Sequence, residues 1–194
     1  MRVQLLFKAF DLEDTVRIPP AMFLQDLVSV ATQQLKSKYE NTYDEDMGYI
    51  IIVDKVEVEQ MGKVLSRDGA SYHKARLKVY TMKPTLNEIV EGEVVEIATF
   101  GVFVRVGPLD ALLHVSQIMN DYVTVDAAQG LIVGKESGRV LRVGDKVRVR
   151  VVAVSPPKGV SVGKIGLTCR QPHLGKLEWI SKKPIEAEAE VKED

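Results

Sequence analysis

The spacing of apolar positions changes character repeatedly along the first 84 residues, and each change predicts an element. From Arg2 to Ile18, β-branched and aromatic residues predict an extended segment that stops at Pro19 and Pro20. Proline suits a first helical turn, where its missing N–H would be unpaired anyway. From Ala21 to about Tyr39, Phe23, Leu24, Leu27, Val28, Val30, Ala31 and Leu35 recur at helical spacing, which predicts a helix with one packing face. A polar loop from Glu40 to Met47 follows, and Gly48 then opens the run YIIIV, predicting a buried strand that continues toward Val58. After the turn-rich MGKVLSRDGAS, residues Tyr72 to Met82 alternate, with Ala75, Leu77 and Val79 opposite Lys74, Arg76 and Lys78. Such alternation marks a strand with one wet face. The first 84 residues therefore read as a β-α-β-β unit, a small α+β sheet carrying one helix, with Pro84 as its boundary.

Beyond Pro84 the pattern becomes short strands punctuated by Gly92, Gly101, Gly107, Gly134, Gly144 and Gly159, as in a small all-β barrel over residues 85–181. A strand from Val90 to Ile97 leads to Gly101, which permits a tight bend, and alternation then sets Val102, Val104 and Val106 against Phe103 and Arg105. Between Ile118 and Arg142 the segments YVTV and LIV flank a turn near Gly130, which predicts a hairpin extending the barrel. LGKLEWI reads as a short helix with Trp179 capping the barrel, and residues 182–194 as a mobile charged tail.

Composition narrows the classes. No apolar run approaches the roughly 18 residues of a membrane helix, and the N-terminus lacks a cleavage signal, so a cytoplasmic protein is expected. Cys169 is the only cysteine and His73, His114 and His173 are scattered, so neither a disulfide nor a metal centre is expected. Asp44, Glu45 and Asp46 read as a solvated loop rather than the metal-holding carboxylates of a polymerase centre, and no cofactor or catalytic residue is expected. The formal net charge of -1 conceals segregation: residues 85–138 hold 2 basic and 8 acidic side chains, residues 139–183 hold 11 and 2. The basic block reads either as a phosphate-binding surface or as a solubilising face.

Phe100 at the bend, with Phe103 and Arg105 on the outer face of the next strand, combines rings and charge. Single-stranded nucleic acid needs both, because every base has a face to stack and every phosphate a charge. Taken alone, two phenylalanines in a strand are more often core than platform, and His114 also reads as a buried, hydrogen-bonded turn residue. Lys146, Arg148 and Arg150 alternate with Val147, Val149 and Val151, adding three outward cations.

The order of several motifs resembles the RNA-binding OB-fold of ribosomal protein S-one. They are Phe100-Gly101-Val102-Phe103-Val104, Leu113 to Ile118, Gly144-Asp145 with the valines after it, and Ile165-Gly166-Leu167-Thr168. The resemblance implies a nucleic-acid face built on Phe100, Phe103 and His114, with Lys164 at its final basic position and Ser155 where the family has an aspartate. Across residues 8 to 181, LEDTVRIPPAMF, GKVLSRDGASYH, KPTLNEIVEGEVVE, GPLDALLHVSQIMNDY, GKESGRVLRVGDKVR and LTCRQPHLGKLEWI resemble the E-prime family of archaeal DNA-directed RNA polymerase, the large stalk subunits that are counterparts of the seventh subunit of eukaryotic polymerase II. That family implies a truncated ribonucleoprotein-like N-terminal domain, a heterodimer with the small F-type polymerase subunit, and a stalk on the polymerase core that binds nascent single-stranded RNA in initiation, elongation and termination. The loop Gly62, Lys63, Val64, Leu65 to Gly69 becomes the expected tip inserted into the core. A ribonuclease or exosome accessory domain and a translation factor are the rival readings of the barrel.

Overall fold

A computed structural model describes residues 6–65, 68–157 and 163–181; the expected tail at 182–194 lies outside them. The chain divides into two compact units, Met1–Pro84 and Thr85–Asp194.

In the first unit, β1 (Phe7–Ile18), α1 (Leu27–Tyr39), β2 (Tyr43–Asp44), β3 (Gly48–Val58), β4 (Lys63–Val64) and β5 (Ser71–Met82) follow one another. The sheet is ordered β1-β5-β3-β2, with β4 also paired to β5. Val30, Ala31 and Leu35 of α1 press on Val16, Ile18, Ile50, Val53, Ala75, Leu77 and Val79, which makes one contiguous core. The helix is shorter than its apolar pattern predicts. Pro20–Met22 forms a single 3-10 turn, and α1 starts only after Asp26, whose carboxylate accepts the Ser29 N–H at 2.9 Å. A short polar side chain at that position satisfies an orphan helix donor and fixes the start. Leu24, 102 % exposed, therefore lies outside the packing stripe.

The YIIIV run is also not buried throughout. Its register against β5 shifts between Ile50 and Ile52, so Ile51 is a bulge that lets one face keep Ile50 and Val53 inside while Ile52 is exposed. The segment read as a loop contains β2, whose half-buried Asp44 accepts the N–H groups of Asp46 and Met47 and closes a turn, while Glu45 and Asp46 are exposed.

The second unit contains β6 (Ile89–Ala98), β7 (Gly101–Val106), β8 (Leu109–His114), β9 (Val123–Asp126), β10 (Leu131–Gly134), β11 (Val140–Arg142), β12 (Lys146–Ser155), β13 (Lys164–Thr168), β14 (Gly175–Lys176) and α2 (Leu177–Ser181). Pairings β13-β8-β7-β6-β12, closed by β12 with β13, make a five-stranded barrel. Only the β8–β13 pair in this ring is parallel. Alternate residues point inward: Val102, Val104 and Val106 with Ala111, Leu113, Val147, Val149, Val151, Ile165 and Leu167 fill the interior. The insertion does not extend the barrel as expected. Its hairpin gains β11 and becomes a separate three-stranded sheet, β11-β10-β9. Trp179 on α2 lies beneath the Arg139 guanidinium of that insertion, 5.6 Å from the ring centroid, and packs beside Gly175.

Candidate nucleic-acid interface

The outer face of β7 and β8 is set by their register. Gly101 stands opposite His114, Phe103 opposite Leu112 and Arg105 opposite Asp110. A side chain on Gly101 would place Cβ 2.5 Å from the Leu113 carbonyl oxygen and 3.0 Å from the His114 Cα, so glycine is what lets the bend close onto the end of β8. That closure gathers the aromatic residues. Phe100 is 48 % exposed, and its ring meets the half-buried Phe103 edge to face, with centroids 6.0 Å apart and planes at 90°. Such a pair holds both rings in place without covering them.

His114 is exposed, not buried in its turn, and begins the 3-10 turn Val115–Gln117. Its Nδ1 accepts the Ser116 N–H at 3.3 Å and lies 2.9 Å from the Ser116 hydroxyl. With Nδ1 accepting, the proton of the neutral ring sits on Nε2, which then presents a donor.

Arg105 occupies the outer face beside Phe103, as expected, but its guanidinium is committed. It forks onto Asp110 through bonds of 2.9 and 3.1 Å, and Glu93 stands opposite it on β6. The hydrogen bond to Asp110 raises the Arg105 pKa. Lys164 is exposed at the start of β13, two residues before the Gly166–Leu112 pair, so it borders the same face as Phe103. Its β12 partner is Ser155.

The basic strand lies elsewhere. β12 pairs with β6, β13 and β14, and with neither β7 nor β8. Lys146, Arg148 and Arg150 stand opposite Glu93, Glu91 and Ile89 on β6. Arg148 donates to Glu91 at 2.8 Å, and the Arg150 Nε is buried without a partner. The three cations and the aromatics thus lie on strands separated by β6, whose Glu91 and Glu93 stand between them and neutralise part of the charge. These counter-charges were legible only as the acidic excess of residues 85–138, without their partners.

The loop expected to dock is a hairpin extension in the first unit. Lys63 and Val64 pair with Tyr72 and Ser71, and Gly62 lies over the His73 imidazole, where a Cβ would be 2.5 Å from Nε2. Met61, Val64 and Leu65 are exposed, the Leu65 carbonyl accepts the N–H of Asp68 and of Gly69, and Ser66 and Arg67 fall outside the described residues. Asp68 is held by Arg17 and by the Tyr72 hydroxyl, which lower its pKa to about 2.

Two protein families match the sequence: "SHS2 domain found in N terminus of Rpb7p/Rpc25p/MJ0397" over residues 13–69 and "S1 RNA binding domain" over residues 83–165. DNA-directed RNA polymerase subunit Rpo7 of Saccharolobus shibatae is 38% identical over 91% of this chain and 98% of its own length. The chain belongs to the Rpo7 family of RNA polymerase subunits. Rpo7 of Sulfolobus acidocaldarius is 33% identical over 94% of this chain and 99% of its own, and the polymerase II subunit rpb7 of Dictyostelium discoideum is 26% identical over 88% and 98%. Ribonuclease R of Vibrio cholerae is 40% identical, but over 41% of this chain and 10% of its own length. The Rpo7 match spans both units, and the ribonuclease match a stretch about as long as the barrel. The fold is accordingly an SHS2-type α+β domain, the truncated ribonucleoprotein-like module of the sequence reading, followed by an S1-type OB barrel. No helix among the described residues is long and apolar enough to cross a membrane.

Proposed function

We propose that this chain is the large, non-catalytic stalk subunit of a cytoplasmic DNA-directed RNA polymerase, binding nascent single-stranded RNA on its barrel and supporting initiation, elongation and termination. The observation that carries the reading is the grouping of exposed Phe100 and His114 with half-buried Phe103 on the S1-type barrel of an Rpo7-family chain. Two rings and a ring N–H donor suit bases presented in any order, so binding is sequence-tolerant and driven by stacking and charge. Lys164 is the cation that borders this face, and Arg105 contributes only after leaving Asp110.

In the same proposal the SHS2-type unit docks to protein. Its 62–69 loop presents Val64 and Leu65 to a polymerase core, and the chain pairs with the small F-type stalk protein. Exposed apolar side chains on a pinned hairpin support that role, because such residues seldom cluster on a surface that meets only water.

Affinity purification of the tagged chain from its native cells tests the proposal. Core polymerase subunits and the small F-type partner should co-purify. Recovery of a nuclease ring or a ribosome in their place would reject it.

A further inference from the structure

The turn that carries His114 also forms one wall of a cleft. Ser116, Asn120, Asp121, Tyr122, Glu136 and Arg170 surround a space of about 350 Å³ where the barrel meets the inserted sheet. Ser116 bonds His114 on one side and lines the cleft on the other, so the aromatic cluster and the cleft share the turn Val115–Gln117. The same turn grips the end of β13: the Gln117 carbonyl accepts the Cys169 N–H at 2.8 Å, and its side-chain oxygen accepts the Thr168 hydroxyl at 2.8 Å. Arg170 projects from that gripped end.

The groups around the cleft are unevenly engaged. Asp121 accepts the Glu136 and Ser137 N–H groups and the Ser137 hydroxyl, which holds its carboxyl below the usual range and occupies its oxygens with the β10–β11 turn. Arg170 donates its Nε–H to Asn120 and, unlike Arg105 and Arg148, has no carboxylate partner among the described residues. The Tyr122 ring is 76 % exposed, with its backbone fixed by the Lys135 N–H bond to the Tyr122 carbonyl. Tyr122, open to water, and Arg170, with no carboxylate in ion-pair reach among the described residues, line one cleft, and a ring and a cation are what a base and its phosphate need.

We propose that this cleft is a second nucleotide position on the barrel, in which a base of the same RNA strand stacks on Tyr122 while the adjoining phosphate meets Arg170. The proposal rests on the reading of Phe100, Phe103 and His114 as an RNA face, and it extends that face across the His114 turn onto the insertion. Glu136 lines the same cleft, where a carboxylate accepts base N–H groups and its charge turns the phosphate toward Arg170. The inserted sheet thereby gains a role: it builds the far wall of the site.

Binding of fluorescent oligoadenylates of increasing length to the full chain tests the inference. Tyr122→Ala and Arg170→Ala should leave the shortest bound oligomer unaffected and weaken longer ones about tenfold, the scale of one stacked base. Tyr122→Phe should bind as the parent does. Both side chains are exposed, so truncation removes no core packing. If longer oligomers bind both variants as tightly as the parent while Phe103→Ala weakens every length, the second position does not exist and the first face stands. If Phe103→Ala changes nothing at any length, the first face fails and takes the second position with it.

Discussion

The Phe100 ring stands perpendicular to the Phe103 ring, edge to face, at 6.0 Å between centroids. Each ring braces the other, so the pair is preorganised and a base that stacks on it loses little to ordering the protein. Phe103→Ala should therefore cost about 1–3 kcal/mol of RNA binding, the range of one stacked base, and should also loosen Phe100. Fluorescence anisotropy with oligoribonucleotides reads the loss, and unchanged far-ultraviolet circular dichroism confirms that the barrel persists. An affinity equal to the parent's would remove this pair from the interface.

Arg105 gives a test with the opposite sign. Its guanidinium is neutralised by Asp110 on the adjacent strand. Asp110→Asn keeps the shape and removes the charge, which frees a cation beside Phe103. RNA should bind more tightly at low salt, and the slope of log affinity against log salt should steepen by about 0.7, as for one added phosphate contact to a single strand. Glu91→Gln frees Arg148 in the same way, but on β12, away from the aromatic pair. That change should leave the slope nearly unaltered. Equal effects of the two substitutions would mean that RNA also follows β12, contrary to the face defined by β7 and β8.

Those two arginines also show where sequence reading reaches its limit. Period-two alternation placed Phe103 and Arg105 outward and the valines inward because each strand has one wet face, and the structure agrees. Alternation says nothing about which strands are neighbours. Barrel closure through β13 and β12 is a long-range pairing, and it separates Lys146, Arg148 and Arg150 from the aromatics although all three alternate with the buried valines of β12. Asp110 and Glu91 neutralise cations 5 and 57 residues away in sequence, and the second of these distances is invisible to any local pattern. The helix that starts at Leu27 rather than Ala21 is a different kind of miss: the cap at Asp26 overrode an apolar spacing that continued through Phe23 and Leu24. The inserted third strand, β11, had only the residues VLR to announce it.

The hairpin proposed to dock makes a prediction in pH. Asp68 is exposed, yet the hydrogen bond from Arg17, and after it the one from Tyr72, lower its pKa from 3.8 to about 2. A carboxyl depressed in the folded chain favours the folded arrangement above its unfolded pKa and loses that contribution as pH falls through the folded value. The pin should thus be complete above about pH 4, where an unfolded aspartate is ionised, and release as pH approaches 2. A carbon-detected NMR titration of the Asp68 carboxyl should give a midpoint near 2 in the parent and a higher one in Arg17→Ala, still below 3.8 because the Tyr72 hydroxyl keeps its bond. In that variant the Gly69 amide, which donates to the Leu65 carbonyl at 3.0 Å, should exchange faster at neutral pH because the turn has lost its anchor. Association with the polymerase core should weaken with it, since Val64 and Leu65 would no longer be held in one place. A parent Asp68 that titrates near 3.8, or an Arg17→Ala chain that joins the core as readily as the parent, would show that the loop needs no such pin.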